Sequence, residues 1–153
     1  MKIVELINED LINLDLQAQT KPAVVKELVD LLAKNGITDD AKTLYDVAMA
    51  REAHSSTGVG FGIAIPHAKT EVVKKASLVF GRSKTGIDYE SMDDEPAFIF
   101  FLIAVPNTND DLHLKTLAAL SRKLIDEDFR EGLLNASSKE AVLDILSTLN
   151  KEE

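Results

Sequence analysis

Ala97-Phe98-Ile99-Phe100-Phe101-Leu102-Ile103-Ala104-Val105 is the stretch on which the fold turns. It contains no polar side chain, so a strand made from it could show neither face to water. Such a strand belongs in the middle of a sheet, with helices packed on each side. Read instead as a helix, the run from Ala97 to Pro106 is about half of what a membrane span needs.

The flanking sequence supplies the rest of a layered structure. Ser77 to Phe80 reads as a second strand, ending in a turn-rich stretch through Gly86. Ile63-Ala64-Ile65-Pro66-His67 alternates large and small residues and reads as a third, with His67 at its end on the face of Ile63 and Ile65. Pro66 cannot donate to a ladder, so this strand lies at an edge or stops there. Gly58-Val59-Gly60-Phe61-Gly62, before it, reads as a flexible turn. Nearer the N-terminus, Thr20 is a helix cap with Pro22 at the helix start and Gly36 past its end, and Val25, Leu28, Val29 and Leu32 share one face. A second helix begins near Asp39 and carries Leu44, Val47, Ala48 and Arg51 on one stripe.

Beyond the central strand the pattern is helical. Asp110 or Asp111 caps a helix bearing Leu114, Leu117, Ala118 and Leu124; a short helix spans about Phe129 to Leu134; Ser137 and Glu140 form a capping box before Val142, Ile145, Leu146 and Leu149. The order helices, strands, helices predicts an α/β fold: one domain over residues 1–153, a mixed β-sheet flanked by helices on both faces. The missing βαβ alternation argues against a Rossmann arrangement.

Composition narrows the function. The 153 residues are 45% hydrophobic and 28% charged, as in ordinary globular proteins. A formal net charge of −9 and a lack of Trp oppose a nucleic-acid partner. With no cysteine there is no disulfide framework or thiolate chemistry, and the chain opens without a secretory signal. The expected location is the cytoplasm, without direct membrane insertion. Gly58-x-Gly60-x-Gly62 lacks dinucleotide-loop spacing and precedes a strand, and no GxxxxGK[ST], HExxH or GxSxG pattern occurs. No metal or other cofactor is expected.

Three histidines remain: His54, His67 and His113. A stiffly presented imidazole at a strand end suits a nucleophile, with one ring nitrogen attacking and the other held by a hydrogen bond. His67 also reads as a strand-end histidine bonded to a nearby carbonyl. His113 falls in the first turn of a helix, whose dipole favours the neutral ring by up to about 1 kcal/mol and whose free N–H groups suit anions; it also reads as a surface residue. Arg51 ends an otherwise apolar stripe, where its fork of donors suits phosphoryl oxygens or snorkels to water. Ser56 and Thr57 offer hydroxyls, although Ser and Thr before glycines are ordinary loop composition. His54 is given no role.

Arg51-Glu52, Ser56-Thr57-Gly58-Val59-Gly60 and Ile63-Ala64-Ile65-Pro66-His67 together resemble the phosphorylation-site signature of type-2 enzyme IIA domains, the fructose/mannitol family of the sugar phosphotransferase system. The resemblance runs from about Asn8 to Leu149. Gly86-Ile87-Asp88-Tyr89, the run into Ala104-Val105-Pro106, and His113-Leu114 with Leu117 look like the fructose branch. Ala68 departs from the glycine that many relatives carry there. The resemblance implies that His67 accepts a phosphoryl group from phospho-HPr and donates it to the IIB domain of a sugar permease. It further implies that Arg51 and His113 are the other active-site residues. A regulatory relative, whose phosphorylation controls partner proteins rather than transport, carries the same residues. The chain could be free-standing or part of a longer IIABC polypeptide. Because both partners are proteins, the site should be shallow with an apolar rim, for which Phe61 and Ile63 are the candidates.

Overall fold

The computed structural model describes residues 3–108 and 111–149, without the side chains of Leu112 and His113. The central run forms the longer part of the prediction: strand β6, Ala97–Val105, is buried along its length except for the half-buried Phe98. It is the sixth strand in chain order, after β1 (Ile12–Asn13), β2 (Gly58–Gly60), β3 (Ile63–Ala64), β4 (His67–Lys69) and β5 (Ser77–Ile87). The sheet order is β1-β5-β6-β3-β2, with β4 also paired to β6. β5 runs antiparallel to β6, whereas β3 and β4 both run parallel to it, so the sheet is mixed. The α-helices among the described residues are α1 (Lys21–Lys34), α2 (Ala41–His54), α3 (Leu112–Leu124), α4 (Glu127–Asn135) and α5 (Lys139–Ser147). α1 packs on α2 and β5, α2 on β4, α3 and α4 on β6, and α5 on α4.

Helix starts follow local chemistry. Thr20 accepts from Ala23 N and Asp40 from Thr43 N, each satisfying a donor that the first helical turn leaves free. Asp111 is the N-cap position of α3 but makes no side-chain cap bond; the alternative, Asp110, lies outside the described residues. α5 starts one residue later than predicted. Ser138, not Ser137, takes the extended cap conformation and accepts from Ala141 N, which removes the capping box with Glu140.

Three strand expectations change. β5 does not stop at Phe80. The Gly81–Gly86 stretch, turn-like by composition, continues the ladder to Ile87 opposite Ala97, with an irregularity after Arg82. Arg82 is bound there from the far side, its guanidinium donating to the carbonyls of Leu133, Leu134 and Ala136 at the end of α4. The predicted turn at Gly58–Gly62 is half strand, β2 pairing antiparallel with β3 around a tip where Phe61 takes φ 59°. The predicted strand 63–67 is broken in two. Ile65 N donates to Thr57 O rather than to β6, and Pro66 has no N–H, so the ladder with β6 lapses after Ala64 and is taken up again where Pro66 O accepts from Ile103 N and His67 pairs with Ile103. His67 therefore opens a strand instead of ending one.

Gly81 shows how tightly α1 lies on the sheet. A Cβ there would meet Leu28 Cδ2 at 2.8 Å and Leu16 Cδ1 at 2.9 Å. Both leucines are buried and have little room to retreat. Gly81→Ala is expected to destabilise the protein by about 1–3 kcal/mol, the usual cost of overpacking, measured as a lower urea midpoint at unchanged slope.

Candidate active site

Arg51 lies in the last turn of α2 and His67 at the first position of β4, and the packing of this helix on this strand brings them together. Both side chains are half-buried. Arg51 Nε donates to His67 Nε2 at 3.2 Å, and Arg51 Nη1 donates to Ser55 O at 3.0 Å. The other ring nitrogen, His67 Nδ1, lies 3.2 Å from Ile65 O. A carbonyl oxygen only accepts, so Nδ1 carries the proton and Nε2 keeps its lone pair. The two contacts thus hold the imidazole in one tautomer, with the Arg51 cation on the nitrogen that keeps its lone pair.

The loop between α2 and β2 is fastened from beneath. Glu52, beside Arg51 in sequence, is 5% exposed. Its Oε1 accepts from Thr57 N at 2.9 Å and lies 3.1 Å from Lys21 Nζ; its Oε2 accepts from Thr57 Oγ1. Lys21 Nζ also sits 4.8 Å from the ring centroid of Tyr89, a residue with no exposed surface. Burial, reinforced by the Glu52 charge, pushes the Tyr89 hydroxyl well above the usual phenol range. Among the described residues no group of three or more His, Cys, Asp or Glu could hold a metal ion, and no helix is long and apolar enough to cross a membrane.

Residues 5–148 match the family model described as phosphoenolpyruvate-dependent sugar phosphotransferase system, EIIA 2. The chain belongs to this family. The EIIA 2 match is supported by a Haloferax volcanii "PTS system fructose-specific EIIA component", 46% identical over 138 residues that cover 90% of each chain. A Bacillus subtilis "PTS system fructose-specific EIIABC component" is 42% identical over 151 residues, 99% of this chain but 24% of that protein. Among solved structures, nitrogen regulatory protein IIA-Ntr of Neisseria meningitidis superposes with a TM-score of 0.85 at 31% identity, covering 93% of this chain and 97% of that one. The mannitol IIA of Escherichia coli, solved in complex with phosphorylated IIB, gives a TM-score of 0.80 at 25% identity, with the same coverage of 93% and 97%.

The remaining candidates of this EIIA 2 chain fall into different places. His113 is the second residue of α3, which leaves the sheet from the β6 end beside β4, but its side chain lies outside the described residues. Ser56 Oγ donates to Tyr89 O at 2.7 Å and accepts from Gly58 N, while the Thr57 hydroxyl is given to Glu52. Both hydroxyl protons are therefore committed to shaping the loop. Ile63 is no part of a rim: it is 1% exposed, because its side chain packs into the core where β3 pairs with Ile99. Phe61 is 66% exposed at the tip of the β2–β3 turn, at the far end of β3 from His67. It lies under the Arg130 guanidinium, 4.7 Å from ring centroid to Cζ, and borders an apolar groove of about 200 Å³ with Val59, Leu124 and Ile125. Lys69 was not singled out from the sequence. Two positions after His67 on β4, it shares the histidine's face of the strand, and the period of two along 67–69 was the signal for it.

Proposed function

We propose that this EIIA 2 domain is a phosphoryl carrier, taking a phosphoryl group from phospho-HPr onto His67 Nε2 and passing it to the IIB domain of a sugar permease. The observation that carries the reading is the hydrogen-bond pattern of the ring, with Nδ1–H on Ile65 O and Arg51 on Nε2. In transfer, the Nε2 lone pair forms the new P–N bond as the donor's P–N bond breaks and its electron pair returns to the donor imidazole. Nδ1–H stays on Ile65 O throughout, so the ring needs to lose no proton before the group moves on. The moving phosphoryl spreads negative charge over three equatorial oxygens. Arg51, already at Nε2, meets those oxygens as the bond forms, and Lys69 on the same face adds positive potential. His113, at the start of α3, is assigned the third active-site role. The fructose-specific names of the two sequence relatives favour fructose as the sugar, and the phosphorylated IIB bound to the E. coli mannitol domain supports a IIB acceptor. With these partners the domain works on the cytoplasmic side of the membrane.

The test is incubation with phosphoenolpyruvate, enzyme I and HPr. The protein should gain the mass of one phosphoryl group in an acid-labile, alkali-stable linkage, and nitrogen-15 spectra should place phosphorus on Nε2. Addition of a fructose-type IIB should then discharge it. No gain in mass with folded protein and active HPr would end the carrier reading. Labelling without discharge to any IIB would move the assignment to regulation.

A further inference from the structure

We propose that Glu52, clamped between Lys21 and Thr57, is a positioning residue that sets both the tautomer of His67 and the aim of Arg51. The proposal rests on the phosphoryl-carrier reading of the same site. Two chains of contacts leave Thr57. Forward, Thr57 O accepts from Ile65 N at 3.0 Å, and Ile65 O is the acceptor that holds the proton on His67 Nδ1. Backward, the loop leads to Ser55 O, which takes Arg51 Nη1 and so points Arg51 Nε at His67 Nε2. Glu52 grips Thr57 by its backbone N–H and its hydroxyl together. The peptide between Ser55 and Gly58 is thereby fixed in rotation as well as in place.

The chemistry of the clamp argues that it serves more than folding. Glu52 and Lys21 are 5% and 8% exposed, and withdrawing two opposite charges from water offsets most of their attraction. A well-packed apolar pair would hold α1 to α2 at least as well. What an apolar pair lacks is two coplanar acceptor oxygens that dictate one orientation of Thr57. Both carboxylate oxygens accept from Thr57, the Lys21 ammonium sets an opposite charge 3.1 Å from Oε1, and the edge of the arrangement is closed by the Tyr89 ring. In phosphoryl transfer the protein supplies mainly position and field, so an orienting carboxylate beneath the site acts directly on rate.

The experiment combines nitrogen-15 spectra of the His67 ring with rapid-quench transfer from phospho-HPr, on folded Thr57→Val, Thr57→Ser and Glu52→Gln. Thr57→Val is expected to lose the single Nδ1–H tautomer and to slow transfer about ten- to a hundredfold, with the phospho-HPr concentration for half-maximal rate unchanged. Thr57→Ser should restore both. Glu52→Gln, which keeps an acceptor for Thr57 N, should show the same tautomer change and serves where Thr57→Val does not fold. Ring shifts and rates like those of wild type in a folded Thr57→Val or Glu52→Gln would overturn the proposal, as would a loss confined to half-saturation. The ring spectra decide this whether or not the wild type accepts a phosphoryl group, so failure here and failure of the carrier reading are told apart.

Discussion

His67→Ala is expected to abolish phosphoryl acceptance altogether while leaving the fold in place. The side chain makes a hydrogen bond to Arg51 and one to the carbonyl two residues before it, and it is only half-buried. Its backbone pairing with Ile103 does not depend on the ring. Loss of stability should therefore stay within about 1 kcal/mol, typical of a partly exposed site. Chemistry has no such reserve, because alanine offers no lone pair to phosphorus. Intact mass after incubation with the phosphoenolpyruvate chain, alongside thermal unfolding, reads both effects. Acid-labile label on folded His67→Ala would put the acceptor on His54 or His113 instead.

The second large effect is expected at Arg51. Arg51→Ala should slow transfer to and from His67 about a hundredfold, in line with loss of one preorganised charged donor. Folding should change little, since Arg51 is half-exposed and its partners Ser55 O and His67 Nε2 can both turn to water. Arg51→Lys separates charge from geometry. The guanidinium reaches Ser55 O with Nη1 while Nε is on the ring, and a single ammonium at the end of a flexible stem cannot hold both. Lysine should recover only part of the rate. An Arg51→Ala protein that transfers normally in rapid quench, or that unfolds, would remove Arg51 from the mechanism.

How much of this was legible depends on the range of the interactions involved. The central strand was readable because burial on both faces leaves an unbroken apolar run, and α1 because Thr20, Pro22 and Gly36 act within one turn. The second half of β5 was not. Gly81, Ser83, Thr85 and Gly86 have turn composition, and only pairing with β6 and the reach of Arg82 to α4 make that stretch a strand. The break at Ile65–Pro66 was half visible: proline announced it, but the diversion of Ile65 N to Thr57 could not be seen locally. Ile63 was misplaced for a related reason, since an apolar residue near a candidate site reads equally as rim or core until its register is known. In the site, periodicity put Arg51 at the end of a helix stripe and His67 on a strand. That the two touch follows from α2 lying against β4, a tertiary fact for which the family resemblance, not spacing, was the guide. Glu52 stood in plain view beside Arg51, yet a lone Glu in a helix carries no sign that it turns inward.

The bond from Arg51 Nε to His67 Nε2 has a consequence for the empty carrier. On the proposed role of His67, the atom that would receive cargo is already stoppered by a group the cargo would itself attract. An arriving phosphoryl has to displace the stopper, and a departing one lets it fall back. What the loaded form gains from Arg51 is thus measured against a bond surrendered, so the arginine deepens the loaded state less than its charge alone would. A relay works best when neither end of its stroke is a resting place, and a side chain bonded at both ends narrows the step between them.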